Sequence, residues 1–209
     1  IMKTTSGYLA SLAAAAGLFS LASNAASISL DPASQTIGSG NAFELALRVS
    51  GLGGHAAPSL GGFSLTLNFD AVLAQFDSIS FGDPVLGDLL APITPSFTDA
   101  ALSGGSLDLF GLSLDDPSDL DALQPDGFTL ATLHFTALSP GMAGFSLADV
   151  LLADGEGAEI SPAAAEGASV RITGASPVPE GGPAWMAALT LGALALAGRK
   201  HPRRAGAGR

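Results

Sequence analysis

The chain contains no cysteine, which excludes disulfide bonds, a thiol nucleophile and a zinc site built on cysteine. Basic residues are also scarce in its central part. All 19 acidic residues lie between Asp31 and Glu180, and only Arg48 and Arg171 are basic within those limits. Such an acidic surface repels phosphate backbones, so the composition argues against nucleic-acid binding. It suits cations or simple solubility.

Tyrosine and tryptophan are equally scarce. Tyr8 lies in an N-terminal apolar segment and Trp185 in a C-terminal one, so the region between them has neither. A flat aromatic platform for a sugar ring would therefore have to come from phenylalanine, which lacks a polar handle and is costlier to expose. The phenylalanines there mostly stand at core-facing positions. Carbohydrate binding is thus an alternative, which an exposed row of Phe or of polar groups in a groove would favour.

The N-terminal residues 1–25 have the layout of a signal peptide. Lys3 supplies a positive start, residues 8–22 are apolar, and Ser23 and Ala25 are the small residues that signal peptidase requires before the cleaved bond. A retained membrane helix is the weaker alternative, because the apolar run is shorter than the ~20 residues that span a bilayer. We predict cleavage after Ala25 and export.

The C-terminal part divides into a Gly/Pro-rich linker, 174–183, an uncharged apolar run, 184–198, and a basic tail, 199–209. The apolar run predicts a short transmembrane helix, since no polar face interrupts it as in a buried core helix. The positive-inside rule then keeps the tail in the cytoplasm and the acidic domain outside. The residues predicted to stop the segment at the membrane are Arg199, Lys200, Arg203 and Arg204.

A short motif precedes this helix. Val178, Pro179 and Glu180, followed by the apolar run and the Arg-rich end, closely resemble the PEP-CTERM sorting signal of Gram-negative bacteria. Gly181 stands where that signal usually has a second proline. The resemblance implies that an exosortase, a membrane protease-transpeptidase, reads the motif. It also implies passage through the inner membrane to the cell surface or extracellular matrix, often in polysaccharide-producing, biofilm-forming organisms.

Residues 26–173 are predicted to form one all-β domain. Apolar and polar residues alternate over 43–49 and 63–69, at the spacing of half-buried strands. Glycine- and proline-rich turn signals separate the runs, and no long amphipathic helix is present. The prediction is a β-sandwich or jelly roll of eight to nine strands. The further candidate strands are 27–30, 76–82, 106–112, 128–137, 142–148 and 168–173.

One of these strands changes face along its length. Phe128 and Leu130 occupy even positions, whereas Leu133 and Phe135 occupy odd ones. A shift of one residue moves every following side chain to the other face of a sheet. We therefore predict a β-bulge near Ala131.

The domain resembles the cohesins. Segment 61–70, followed by Leu73 and Phe76, is similar to the cohesin pattern of a strand that ends in an aromatic-Asp pair, and segments 130–135 and 139–141 resemble a later strand with its turn. The resemblance implies a nine-stranded jelly roll, related in fold to carbohydrate-binding modules. Cohesins of cellulosomes bind dockerins, but the sequence marks no dockerin-binding surface. Asp70 is predicted to cap the turn after its strand through its side chain.

Catalytic chemistry has little support. His134 lies between Leu133 and Phe135 in a strand and should face away from them, and His55 lies in a Gly-rich loop. No carboxylate neighbours either histidine in sequence, and the chain has no G-x-S-x-G motif. A hydrolase whose Ser-His-Asp site assembles only in space is the remaining enzymatic alternative.

An acidic cluster is the weak candidate for a metal site. Closely spaced oxygen ligands could hold Ca²⁺, but the spacing does not fit an EF-hand loop. A solvated acidic loop is therefore favoured, and no other cofactor is expected. The residues of this cluster are Asp115, Asp116, Asp119 and Asp121.

Together these features predict a non-enzymatic exported protein with an adhesion or scaffold role in the extracellular matrix. Its partners would be a sorting exosortase, the membrane, and a surface protein or polysaccharide that the sequence does not identify.

Overall fold

The computed structural model of the protein describes residues 26–162 and 164–174. They form a sandwich of two β-sheets, which confirms the all-β prediction. In chain order the elements are β1 (Ser27–Asp31), β2 (Ser34–Gly38), β3 (Ala42–Ser50), β4 (Leu60–Phe69), β5 (Ala74–Phe81), β6 (Phe97–Ser103), β7 (Ser106–Leu112), α1 (Pro117–Leu123), β8 (Gly127–Ala137), β9 (Gly141–Asp154), β10 (Glu159–Ile160), β11 (Ala164–Glu166) and β12 (Ala168–Thr173).

The two sheets differ in size. One has five strands in the order β11-β1-β3-β8-β5, and the other has seven, in the order β2-β12-β9-β4-β7-β6 with β10 paired to β9. The β1–β11 and β2–β12 pairs are parallel, and the other strand pairs of the described residues are antiparallel. The chain changes sheet between β1 and β2 and again between β11 and β12. Each end of the domain therefore contributes a strand to both sheets.

Phenylalanine rings join the two sheets at the centre of the core. Phe135 of β8 is fully buried, and its ring centroid lies 5.0 Å to 5.6 Å from four other ring centroids. Two of those rings, Phe69 and Phe145, belong to the larger sheet, while Phe43 and Phe76 belong to the smaller one. Edge-to-face and offset contacts of this kind add to the free energy gained from burial alone. The two sheets therefore share one aromatic core.

The predicted bulge lies where the sequence changes parity. In the pairing of β3 with β8, Leu47 faces Ala131 and Arg48 faces Thr129, so Leu130 has no counterpart. Leu130 and Ala131 are both buried. The bulge thus lets β8 keep its apolar residues in the core on both sides of the slip, which confirms the prediction.

The turn after β4 is also as predicted. The backbone N–H of Val72 donates to Oδ1 of Asp70 at 2.8 Å, which is an Asx turn.

Strand number is where the prediction falls short. The described residues contain twelve strand segments instead of eight to nine, and the prediction lacked β2, β6, β10 and β11. Strands β2 and β6 are the edges of the larger sheet, β11 is an edge of the smaller one, and β10 pairs with β9. An edge strand is less completely covered than a central one, so its sequence need not alternate strictly between apolar and polar. Strand β9 is also longer than predicted, continuing to Asp154.

The described residues contain no helix that is both long enough and apolar enough to cross a bilayer. The predicted signal peptide, transmembrane helix and basic tail lie outside residues 26–174.

Candidate functional site

The outer face of the larger sheet exposes apolar side chains. Leu107 and Leu109 of β7 are buried, so Phe110 and Leu112 of the same strand point outward by alternation. Phe97 of the edge strand β6 pairs with Leu112, and its ring centroid lies 6.2 Å from that of Phe110 in an edge-to-face arrangement. Two aromatic rings therefore form one exposed contact on neighbouring strands.

A leucine from β9 extends this surface. Phe110 and Leu151 both pair with Ser64 of the intervening strand β4, from opposite sides. The exposed fraction is 62% for Phe97, 36% for Phe110, 42% for Leu112 and 51% for Leu151. We call these four residues the Phe97 face. Adjacent exposed apolar side chains of this kind mark interaction sites more often than isolated ones do.

Carboxylates border the Phe97 face. Asp99 of β6 stands opposite Phe110 in the register, and Asp108 of β7 lies two residues before it on the same outward side. The hydroxyl of Thr66 donates to Oδ1 of Asp108 at 2.7 Å, which holds that carboxylate in place. An apolar centre with an acidic border complements a partner surface with an apolar centre and a basic rim.

The connection between β5 and β6 is held by aspartate side chains. Oδ1 of Asp83 accepts hydrogen bonds from the N–H groups of Val85 at 2.8 Å and Leu86 at 2.9 Å. The Leu86 and then the Val85 hydrogen bond lower the pKa of Asp83 below its ordinary 3.8. Oδ2 of Asp88 also accepts a hydrogen bond from the hydroxyl of Ser96.

Asp115 ties the same connection to the end of β7. Burial acts to raise its pKa, but hydrogen bonds from Ile93 and Thr94 outweigh it and lower the pKa below 3.8. The two backbone N–H groups lie 2.9 Å and 2.8 Å from the carboxylate oxygens. Asp115 thus acts as a clamp on the chain entering β6.

The prediction of a solvated acidic loop is wrong from Pro117 onward, because residues Pro117–Leu123 form helix α1. The helix begins with a proline, and Asp119 follows in the first turn, as is typical of helix starts. The buried Leu120 anchors the helix to the domain. These signals were present in the sequence. Asp116 precedes the helix without a side-chain capping bond.

The acidic residues do not converge on one point. Asp115 faces the β5–β6 connection, whereas Asp121 lines a small cavity with Asp154 and Glu156 on the other side of α1's start. Within residues 26–162 and 164–174, no three Asp, Glu or His side chains are arranged to hold a metal ion.

Gln124, directly after α1, is a buried residue that the sequence analysis missed. Its Oε1 accepts from the N–H of Leu60 at 2.7 Å, and its Nε2 donates to the carbonyl of Leu60 at 2.8 Å. Nε2 also lies 3.3 Å from the carbonyl oxygen of Leu90. The side chain thus pairs with the backbone at the start of β4 as a neighbouring strand would.

The two histidines of the domain lie apart. His134 is outward-facing on β8, as predicted, with Nδ1 3.2 Å from Oε1 of Glu44. His55 has a positive φ of 61° and places Nδ1 2.9 Å from the carbonyl oxygen of Ala122. Activation of a serine requires a hydrogen bond between its hydroxyl and an imidazole. The side-chain contacts found for these two rings go instead to a glutamate and a backbone carbonyl.

The residues predicted to direct export and sorting lie outside the described residues. These are Ser23, Ala25, Val178, Pro179, Glu180, Arg199, Lys200, Arg203 and Arg204.

Solved cohesin structures share this fold. A non-cellulosomal cohesin from Archaeoglobus fulgidus is 15% identical, with a TM-score of 0.52 over 71% of this chain and 91% of that one. The sixth cohesin of scaffoldin B from Acetivibrio cellulolyticus, solved in complex with a Cel5 dockerin, is 16% identical, with a TM-score of 0.55 over 71% and 99%. A cohesin module of a family 33 glycoside hydrolase from Clostridium perfringens is 15% identical, with a TM-score of 0.53 over 72% and 96%.

Sequence comparison alone gives no match. No protein-family profile matches the chain, and no curated protein sequence does. At these identities the likeness establishes a cohesin-like β-sandwich and nothing finer.

Proposed function

We propose that the domain is a non-enzymatic protein-binding module of the adhesion or scaffold type. The observation that carries this proposal is the Phe97 face, where four apolar side chains from β6, β7 and β9 are exposed on the same face of one sheet. Rigid aromatic anchors with well-defined positions are the residues that dominate protein–protein binding. The likeness to cohesins supports the same class, since one of the similar structures is bound to a protein partner.

The partner we infer is a protein with an apolar centre and a basic rim. Asp99 and Asp108 border the Phe97 face, and the exported region as a whole is strongly acidic. Lysine or arginine around the partner's contact would pair with these carboxylates and speed association. Such binding should weaken as ionic strength rises, because exposed charges are screened.

Two variants test the location of this surface. Phe97→Ala with Phe110→Ala removes both rings, whereas Met142→Ala truncates a side chain that is 59% exposed elsewhere on the same sheet. The full chain, linked to beads, is exposed to matrix and outer-membrane extract at low and at high salt. The proposal requires a protein that is captured by the wild type and by Met142→Ala, but not by the double variant. Equal capture by all three would place binding elsewhere.

We propose further that the chain is exported through an N-terminal signal peptide cleaved after Ala25, and sorted to the cell surface by a PEP-CTERM-like signal. The supporting features are the small residues at Ser23 and Ala25 and the motif Val178, Pro179 and Glu180 before an apolar run with a basic end. An exosortase-type enzyme in a Gram-negative inner membrane would then read and process the motif.

Mass spectrometry of the protein from its native host tests both ends. The exported form should begin at Ala26 and lack the residues after about Glu180. The Pro179→Ala, Glu180→Ala variant should remain in the inner membrane at full length, since the protease can no longer read it. An exported wild type that retains its Arg-rich tail would identify an ordinary membrane anchor, whose retention depends on apolar length and basic charge alone.

A further inference from the structure

The outer face of the smaller sheet contains a cleft of about 440 Å³. Its floor is formed by Ala46 of β3 and Thr132 of β8, which face each other in the register. Glu44 and His134, the next outward pair along the same two strands, stand at one end of it. The volume falls within the range of about 300–1,000 Å³ that is typical of small-ligand sites.

The cleft exists because its floor is low and its walls are high. Ala46 and Thr132 are smaller than Glu44 and His134, the next outward pair, so the sheet surface is lower at Ala46 and Thr132. One wall is Asp31 and Pro32, where the chain leaves β1, and the other is the segment 81–84, where it leaves β5. Strands β1 and β5 flank the β3–β8 pair, which places the two walls on opposite sides of the floor.

The second wall is held in a defined conformation. The N–H of Gly82 donates to the carbonyl of Leu130 at 2.8 Å, and Asp83 and Gly87 exchange two backbone hydrogen bonds. Oδ1 of Asp83 also caps the turn that follows. A site whose walls are fixed before binding loses less conformational entropy when a ligand enters.

Both donors and acceptors line the cleft. Carboxylates of Asp31, Glu44 and Asp83 accept hydrogen bonds and the Thr132 hydroxyl both donates and accepts, while the imidazole of His134 directs Nδ1 to Glu44 and has Nε2 as its second polar atom. Glu44 and His134 keep 66% and 33% of their side-chain surface exposed despite their mutual contact. Both side chains therefore remain partly accessible to a ligand.

This combination suits a hydroxyl group better than a charged one. A hydroxyl donates and accepts at the same atom, so it can use both kinds of partner. An ammonium has no lone pair, so it could not accept the proton of the Thr132 hydroxyl, whereas a sugar hydroxyl can. A carboxylate or phosphate would face three carboxylates of its own sign, which outnumber the single positive charge of Arg48 near Asp83. Pro32, Pro84 and Ala46 add apolar surface against which the C–H face of a sugar ring can pack.

We propose that this cleft binds a neutral hexopyranose, either free or as a unit of a longer glycan. The site is separate from the Phe97 face, because it lies on the other sheet, and it does not depend on the protein-binding proposal. The prolines and the carboxylates take the place of the tryptophan or tyrosine platform that the domain lacks.

Saturation-transfer NMR on the purified full chain tests the proposal with glucose, galactose, mannose and their methyl glycosides. At least one neutral sugar should receive magnetisation. Glucuronate and n-butylammonium serve as the anionic and cationic probes, and both should give much weaker transfer. If no neutral sugar responds, or if n-butylammonium binds and the sugars do not, the assignment of a neutral sugar is overturned.

Variants in the cleft locate the binding. Ala46→Trp fills the floor and should abolish sugar binding, and Glu44→Gln should weaken it roughly tenfold by removing a charged acceptor. Thr132→Ala should also weaken it. Thr136→Ala is the matched control, since Thr136 lies on the same face of the same strand but donates to Asp77 outside the cleft. Undiminished binding by both Ala46→Trp and Glu44→Gln would overturn the site.

Discussion

The two outer faces of the sandwich differ in the chemistry they present, although one core supports both. The Phe97 face on the larger sheet is apolar with an acidic border, and its residues project from the strands. The opposite face carries a depression between two raised walls, lined by apolar surface together with polar side chains such as Glu44, Thr132 and His134. An apolar projecting surface suits a large partner, whereas a concave surface with a few polar groups suits a small ligand.

The contrast arises from residues that the core does not constrain. The inward positions include Leu107 and Leu109 on β7, and Leu133 and Phe135 on β8. Every second position along a strand faces solvent and so need not hold an apolar core residue. On β7 these positions hold Phe110 and Leu112, while on β8 they hold Thr132 and His134. The same sandwich can therefore carry two unrelated surfaces.

Disrupting the shared core should affect both faces equally. Phe135→Ala removes the ring that contacts aromatic side chains from both sheets, and should lower the free energy of unfolding by about 3–5 kcal/mol. Urea denaturation measures this loss. Phe135→Leu should cost less, because it leaves a smaller cavity. A loss below about 1 kcal/mol in the alanine variant would contradict the central role of this ring.

Removing both rings of the Phe97 face should separate binding from stability. Phe97→Ala with Phe110→Ala should reduce affinity for a captured partner by about 2–4 kcal/mol, as expected for two anchor residues. Stability should change little, since both side chains are substantially exposed. Calorimetric titration gives the first quantity and thermal denaturation the second. Sugar binding in the opposite cleft should be unaltered, and its loss would show that the faces are not independent.

The larger sheet should depend on one buried amide. Gln124→Leu leaves the N–H and carbonyl of Leu60 without their partners, and should destabilise the fold by about 1–3 kcal/mol. Hydrogen exchange should show the loss first at the start of β4. The exposed neighbour Leu123, 44% accessible, gives a control in Leu123→Ala. If the two substitutions destabilise the fold equally, the Gln124 amide contributes no more to stability than an exposed leucine does.

Asp115 should make stability depend on pH. Hydrogen bonds to the ionised carboxylate lower its pKa in the folded state, so it stabilises the fold above the unfolded pKa of about 3.9. That contribution is lost as the pH falls through the lowered folded value. Asp115→Asn should therefore reduce Tm slightly at pH 7, and it should make Tm fall less steeply than in the wild type as the pH is lowered below ~4.

The effect should be small because the carboxylate is partly exposed. Asp116→Asn is the control, since that side chain makes no capping bond, and it should leave Tm at pH 7 unchanged. If Tm changes with pH in the same way for the wild type and for Asp115→Asn, the proposed stabilising role of the Asp115 carboxylate is contradicted.

Local sequence explains the parts of the fold that were predicted. The alternation along β3 and β4 specifies which side chains are buried, and the parity change in β8 specifies the bulge at Leu130. The Asx turn at Asp70 also needs only neighbouring residues. Helix α1 was missed although Pro117 and Asp119 indicate a helix start, because a dense run of acidic residues is equally typical of a solvated loop.

The sequence by itself determined an acidic, cysteine-free β-sandwich, since strand alternation and turn residues act within a few positions of the chain. Only the tertiary structure decided which outward side chains meet. Phe97 becomes a neighbour of Leu112, and Leu151 comes to lie on the same sheet face, through the order of four strands; Ala46 reaches Thr132 through a pairing register. Strand order and register depend on contacts between residues far apart in the chain, so no local sequence pattern predicts them.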